Sequence, residues 1–516
     1  MKKLLSLLLI LTMLVPFAAL AQEEHVSSKD TLVIAMSAEP GKLNPFYTDS
    51  ATLKRTYVQI FDQLFNYDEV SANIVNNAVE SYAFDEGYTG ITLTLRKDIV
   101  FHNGVPATAE DLKYTFKYLS ENSLGRTMDY INFDDVTIVD EYSVHVGLNY
   151  SYSALLDCLV KVSLICKSAS EEMGDEYDRA PIGSGPYKFA SWVSGDRIVL
   201  EANEDYWKYK PAIKNIIIRI ITEQAVQYIE LITGGIDVAM DPLPADVLDV
   251  MENGDGSLEV VNGGQVALYF INLNYNSDNE AMKNKTVRQA IAYAINHEDI
   301  ATVFGSGMTK PAYSQLPSGV FGYNEAYNEN PRYPYDPEKA MEMLAEAGYG
   351  DGLTLRMINN SNAVFGSIAE VLQNQLAKVG ITLEINTYDS ATAADMQENG
   401  NDYDILINLV NINGDPIVSP FGTHFDPTKG ILGGRNKSKN FEDPDTEKVS
   451  GLLLQLKQSF DKDERYEITQ AIMDEMLEYC WFIPVFETGV FALQVSNLKD
   501  YMKVVNYDFF GPAYFE

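Results

Sequence analysis

Cysteine is nearly missing from this sequence: Cys158, Cys166 and Cys480 are the only three in 516 residues. So few exclude a disulfide scaffold, and the odd number leaves at least one thiol free or shared between chains. A Cys158–Cys166 bridge and buried thiols both fit that apolar stretch. Histidine is as sparse, with five (His25, His102, His145, His297 and His424), all isolated. No HExxH or CxxC spacing occurs, so no structural metal is expected. There is no G-x-S-x-G elbow, and with 74 acidic residues no catalytic carboxylate pair stands out. Positive charge is short too: 38 Lys and Arg give a formal net charge of −36. That surface repels the phosphates of nucleic acids and anionic lipids, excluding both as partners. It could attract a cationic ligand, although a plain solvated acidic surface accounts for the same numbers.

Only one long apolar run exists, Leu4 to Val15, preceded by Lys2 and Lys3 and followed by Ala19-Leu20-Ala21. It falls short of the ~20 residues of a spanning helix and reads as a signal peptide, residues 1–21, cleaved before Gln22. The mature chain, 516 − 21 = 495 residues, is expected in a periplasm or secreted, without inserting into a membrane. It is too long for one core, so two or three domains are expected. With 46% hydrophobic and 11% aromatic residues it is an ordinary globular composition.

Ile91, Leu93 and Leu95 alternate with Thr92, Thr94 and Arg96, a half-buried strand. A turn at Asn103-Gly104 follows, then Pro106, then a helix opened by Thr108 and Asp111 at capping-box spacing. Leu112, Phe116 and Leu119 form its apolar stripe. Tyr57, Ile60, Phe61, Leu64 and Phe65 make another helical stripe, after an irregular loop holding Pro40 and Pro45. Gly183-Ser184-Gly185-Pro186 can continue neither helix nor central strand and suits a chain crossing between domains. Further along, Val287–Asn296 is a helix, and Asp336-Pro337-Glu338 caps another that Gly348 stops. Strands at 353–358, 381–387 and 404–409 alternate with helices at 368–379 and 392–398, implying a parallel sheet with right-handed crossovers.

Phe101, His102, Gly104, Pro106, Ala109, Glu110 and Asp111 closely resemble the signature segment of the family 5 extracellular solute-binding proteins. That family feeds peptides, nickel and some oligosaccharides to ABC transporters. Pro181–Trp207 resembles its second signature, with Ser184 where Thr is usual, and Gly234–Asp237 and Val287–Asn296 match further elements. Many members carry a lipid-modified cysteine at the mature start; Gln22 here implies a chain without that anchor.

The resemblance implies an α/β periplasmic binding protein-like fold of the large, class II type, with two main lobes, an extra domain and a ligand cleft between lobes. Lobe I is expected from residues 22–63, 186–268 and 490–516, lobe II from 64–185, and lobe III from 269–489. Ligands of open α/β sheets lie beyond the carboxyl ends of the strands. There Asn359 and Asn360 follow one strand, and Asn408, Asn411, Asn413 and Asp415 end and follow another, offering amides that bond without a buried net charge. Asn and Gly are also ordinary turn residues. Asn413-Gly414-Asp415-Pro416 resembles the family's element in which an aspartate four residues before the proline pairs with a peptide's ammonium group. Here that position is Ile412, and an apolar residue cannot compensate a desolvated ammonium ion. Either Asp415 or Glu39 supplies the carboxylate, or the ligand lacks a free α-amine. Tyr57 completes the candidate ligand-binding residues.

The implied function is capture of a small ligand, first of all a peptide, by lobe closure, with delivery to ABC transporter permease subunits. An oligosaccharide or a nickel or metal chelate is the alternative within the family, and a secreted hydrolase the rival from another class. Neither a catalytic residue nor a cofactor is called for, and a monomer is expected.

Overall fold

The computed structural model describes residues 26–47, 51–68, 73–125, 128–274, 277–305, 307–360, 363–388, 390–399, 402–412, 414–418, 421, 444–504 and 507–516. The expected signal peptide lies outside them. Two sheets dominate, one of eleven strands and one of four.

The four-stranded sheet is local in sequence and antiparallel, in the order Val79–Phe84, Gly90–Leu95, Ser143–Leu148, Ile131–Ile138. Ile91, Leu93 and Leu95 are wholly buried, as their alternation requires. The helix Ala109–Ser120 turns Leu112, Phe116 and Leu119 into the same core. Its start is fixed as expected: the Thr108 amide and hydroxyl donate to Asp111 Oδ2 at 3.0 and 3.2 Å. The other Asp111 oxygen accepts from the Lys167 amide at 3.0 Å.

His102 clasps this unit to the glycine-rich crossing. The Gly183 amide donates to Nδ1 at 3.3 Å, which leaves Nε2 as the protonated nitrogen facing Gly185 O at 3.0 Å. Burial pushes the imidazole down to about 4, so it stays neutral. Gly183 and Gly185 are required by contact. A Cβ on Gly183 would stand 2.0 Å from Ile60 O, and one on Gly185 2.7 Å from Ile60 C. Buried Asp62 gathers the end of that signature, accepting from Tyr206 Oη at 2.8 Å and Trp207 Nε1 at 3.0 Å. Both signatures therefore serve the fold.

The Tyr57–Phe65 stripe is not one helix. The helix is Ala51–Ile60, and Phe65 opens a short strand. Backbone pairing with 162–164 wins beyond Ile60: Leu64 N donates to Val162 O and Leu164 N to Asp62 O, both at 2.8 Å. The three cysteines are buried and unbridged, so of the two readings for Cys158 and Cys166 the structure takes the buried thiols.

The eleven-stranded sheet joins most of the remaining chain. Its order is Ile381–Tyr388, Leu353–Asn360, Ile405–Ile412, Leu258–Leu273, Phe482–Val495, Val238–Ala239, Thr31–Met36, Asn215–Ile220, Arg197–Ala202, Tyr187–Val193, with Thr309–Pro311 also on Phe482–Val495. Leu353–Asn360 is parallel to both neighbours, as the alternation with helices implies. Thr31–Met36 is likewise parallel to both of its own. Between these parallel groups run two long antiparallel strands, 16 and 14 residues, that belong to both. Their ladder breaks where Asn262 faces Phe491 and Val266 faces Gly489. One strand advances four residues there and the other two, a bulge that bends the pair.

Candidate functional site

The register places the carboxyl ends of both parallel groups at this bulge. Ala239 pairs with Leu493, while Ile412 pairs with Val266, which pairs with Gly489. The two sets of strand ends thus meet four residues apart (493 − 489) on one strand, roughly 14 Å at ~3.4 Å per residue. An open cavity of about 280 Å³ sits at the same crossing, lined among others by Asn262, Lys310, Ser318, Glu487 and Thr488.

On the Thr31–Met36 side, Asp241 knots the strand ends. It accepts from Ser37 Oγ at 2.8 Å and Arg55 Nη1 at 2.7 Å, while its carbonyl accepts from Gln224 Nε2 at 2.7 Å. Burial would raise its pKa, but the Arg55 charge and the hydrogen bonds outweigh that and hold it below the usual carboxylate range. Glu39, in the loop that follows, accepts from Trp192 Nε1 (2.6 Å), Gly195 N (3.0 Å) and Ser194 Oγ (3.2 Å). Its carboxylate is thereby occupied by a hairpin of its own half. Tyr57 is buried in the main apolar cluster, 3% exposed.

On the other side the strands run further than expected, to Asn360 and Ile412, so the amides stand on strand ends rather than in loops. Ile358 pairs with Leu406, which puts Asn360 and Asn408 on one face of the sheet and Asn359 on the other. Asn359 Oδ1 and Asn408 Nδ2 are buried without a hydrogen-bond partner among the described residues. Asn411 stands near the end of its strand. Its side chain, that of Ile412 and the whole of Asn413 lie outside the described residues.

Asp415 is committed to an ion pair with Arg465 Nη2, and its other oxygen accepts from Ile417 N at 3.0 Å. Arg465, from the helix Lys462–Tyr479, also donates to Leu456 O and Ser459 O at 3.0 Å and bonds Ser153 Oγ. Against this pair lies Asp157 from the helix Leu155–Leu159, whose Oδ1 accepts from Tyr67 Oη at 3.3 Å. Gly414, at φ +69°, lets the two approach; a Cβ there would meet Asp157 Oδ1 and Tyr67 Oη at 2.7 Å. Burial and then the Asp415 charge push Asp157 up to about 7, and burial raises Asp415 against the pull of Arg465. Nothing in the local sequence marks Asp157, Tyr67 or Arg465, because their roles come from long-range contact alone. Among the described residues no group of three or more His, Cys, Asp or Glu could hold a metal ion. No described helix is long and apolar enough to cross a membrane.

Residues 73–430 match the model of the bacterial extracellular solute-binding proteins, family 5. Over 384 residues, 73% of each chain, the sequence is 29% identical to the glutathione-binding protein GsiB of Pectobacterium atrosepticum. The fold is similar to that of the ABC transporter-associated periplasmic binding protein DppA of Helicobacter pylori, solved with the peptide STSA. The TM-score is 0.80 at 23% identity, covering 95% of this chain and 99% of that one. It is also similar to NikZ of Campylobacter jejuni, solved with Ni(L-His), at a TM-score of 0.78 and 23% identity, covering 94% and 97%.

Proposed function

We propose that this chain, which belongs to the bacterial extracellular solute-binding proteins of family 5, captures a peptide outside the cytoplasmic membrane and delivers it to the permease of an ABC transporter. The convergence of two sets of strand ends on one bulged pair of long strands carries this reading. The open cavity of about 280 Å³ at that crossing is the proposed ligand space, opened or closed by bending two strands. Closure excludes water and so strengthens every hydrogen bond to the ligand. The lobes proposed are 22–63 with 186–268 and 490–516, then 64–185, then 269–489. The bulge between Asn262 and Val266 and the Gly489 position support hinges close to 268 and 490.

Peptide is favoured by the relatives named for glutathione and for a bound tetrapeptide; the neighbour solved with Ni(L-His) keeps a metal chelate as the second reading. Asn360 and Asn408, on one face at the strand ends, suit the backbone amides of a ligand. Glu39 and Asp415 both have donors of their own, so neither is free to anchor an ammonium group. We therefore infer that the ligand is held by its backbone more than by its α-amine. A mature chain in the periplasm or medium, monomeric and without catalytic activity, fits the same reading.

Native mass spectrometry of the protein purified from its own cells tests it, with whatever is released on denaturation identified. Peptide masses are expected. A nickel chelate or hexose-spaced masses would replace the peptide reading by another within the family. Should the protein emerge empty, a thermal-shift screen of tetrapeptides, with and without an N-acetyl cap, decides. A peptide at about 100 times its Kd should add about 2.7 kcal/mol of stability.

A further inference from the structure

The helix Gln224–Ile232 carries apolar side chains on its outward face as well as its inward one. Gln227 and Leu231 are its buried residues: Leu231 joins the small apolar cluster around Ala35, Val247 and Leu493, and Gln227 Nε2 donates to Ile221 O at 2.7 Å. At 100° per residue the side opposite them centres on Ile229, with Ala225, Val226 and Ile232 beside it. Val226 is 42% exposed and Ile229 and Ile232 are each 56% exposed. A surface helix ordinarily presents charged residues there, and a grouped apolar face on solvent marks an interaction site.

We propose that this face docks on the extracytoplasmic side of the permease, on a partner surface of apolar side chains ringed by lysine and arginine. The inference rests on the solute-binding function proposed above and locates its partner. Three observations choose that occupant. The first is charge: from residue 220 to residue 282 the chain has no lysine or arginine, while Glu223, Asp246, Asp249 and Glu252 lie on or beside this helix and the helix Pro244–Asn253, and Glu230 is paired with Arg219 Nη1 at 2.7 Å. A surround with this excess of acids repels a second copy of a chain of charge −36 and repels anionic lipid alike. It attracts a basic rim.

Position is the second. Gln224, the first residue of the helix, donates to Asp241 O, and Asp241 ties the strand ends on its side of the bulge. The helix therefore begins at the strand ends where the ligand site is proposed. Continuation is the third. Tyr228 Oη donates to Asp249 at 2.8 Å, joining the two helices, and Met251 on the second is 57% exposed. The helix His297–Gly305, on the other side of the bulge, sends Phe304 into the same cluster and leaves Val303 48% exposed. Apolar side chains thus stand outward on both sides of the bend.

The test replaces Ile229 with the photoreactive p-benzoylphenylalanine in the full chain, expressed in its own cells with its transporter. A second variant carries the same group at Val139, 58% exposed beside the four-stranded sheet. Irradiation should join Ile229 to a membrane subunit of an ABC transporter, identified by its tryptic peptides, with Val139 giving at least tenfold less. Adding Ile229→Lys to a chain labelled at Val226 should abolish that adduct, and Ile229→Leu should keep it. An adduct to a second copy or to lipid overturns the proposal. So does a permease adduct from Val139 alone, which leaves the solute-binding function standing. No adduct from either site overturns the docking face too, and the function is then judged by the mass of the released ligand.

Discussion

Asp157 offers the sharpest test of how the four-stranded unit is held against the large sheet. It faces Asp415 and Arg465 with two carboxylates to one guanidinium, and it is raised from 3.8 to about 7 by burial and by the Asp415 charge. A carboxylate raised in the folded state binds its proton more tightly there than when unfolded. Its contribution is fully present below the unfolded pKa and is lost as pH rises through the folded one. A shift of about three units corresponds to roughly 4 kcal/mol in all, of which about 2 to 3 kcal/mol falls between pH 5 and pH 8. Asp157→Asn keeps the shape and the bond from Tyr67 while removing the titration. Urea unfolding of the unliganded protein, wild type and variant, at several pH values across that range isolates the difference. The variant should gain on the wild type steadily towards pH 8, with unchanged m values. A difference that stays constant within about 0.5 kcal/mol would refute the claim that this cluster holds Asp157 protonated.

Gly183→Ala puts a methyl 2.0 Å from the Ile60 carbonyl, so the backbone must move; a loss above about 3 kcal/mol is expected in urea unfolding, and a tolerated alanine would show the clasp to be loose. His102 and His297 are both pushed down to about 4 by burial. Each stabilises fully above pH 6.5 and loses that contribution as pH falls through 4, so NMR should find both rings neutral at pH 5.5. The thiols should be inert to a disulfide reagent in the native protein and number three in denaturant, with melting unchanged by reductant. Arg465→Met should cost about 3 to 5 kcal/mol by leaving the Asp415 carboxylate buried without its partner, whereas Lys210→Met, at an exposed pair, should cost under about 1 kcal/mol.

What could be read from the sequence was whatever a short window decides. The Thr108–Asp111 cap, the Asp336 cap (Lys339 N donating to Oδ1 at 2.9 Å) and the strand at Ile91 are all local, and the structure has each of them. The stripe from Tyr57 to Phe65 misled because its apolar spacing continues past the point where residues 162–164 capture the backbone. Asn359 and Asn360 looked like a loop because asparagine favours turns, yet both pair along the neighbouring strand, with Thr387 and Tyr388. Asp157 and Asp415 lie 258 residues apart (415 − 157), and no local pattern predicts such a meeting. The function came through motif resemblance, since the signature residues themselves, His102, Gly183 and Trp207, hold the fold and stand in its core contacts.

The place of the first strand has a bearing on how the chain is made. Thr31–Met36 sits inside the large sheet between Asn215–Ile220 and Val238–Ala239, and that sheet is closed by Phe482–Val495 near the end of the chain. Partners so distant in sequence make assembly slow, because the intervening loop must close before any contact repays it. During synthesis the joining of the large sheet has to wait for the last tenth of the polypeptide, while the compact four-stranded unit can organise early. Its two halves can each pair before then, by residue 220 and by residue 412, but they cannot be joined into one sheet until that last strand is made.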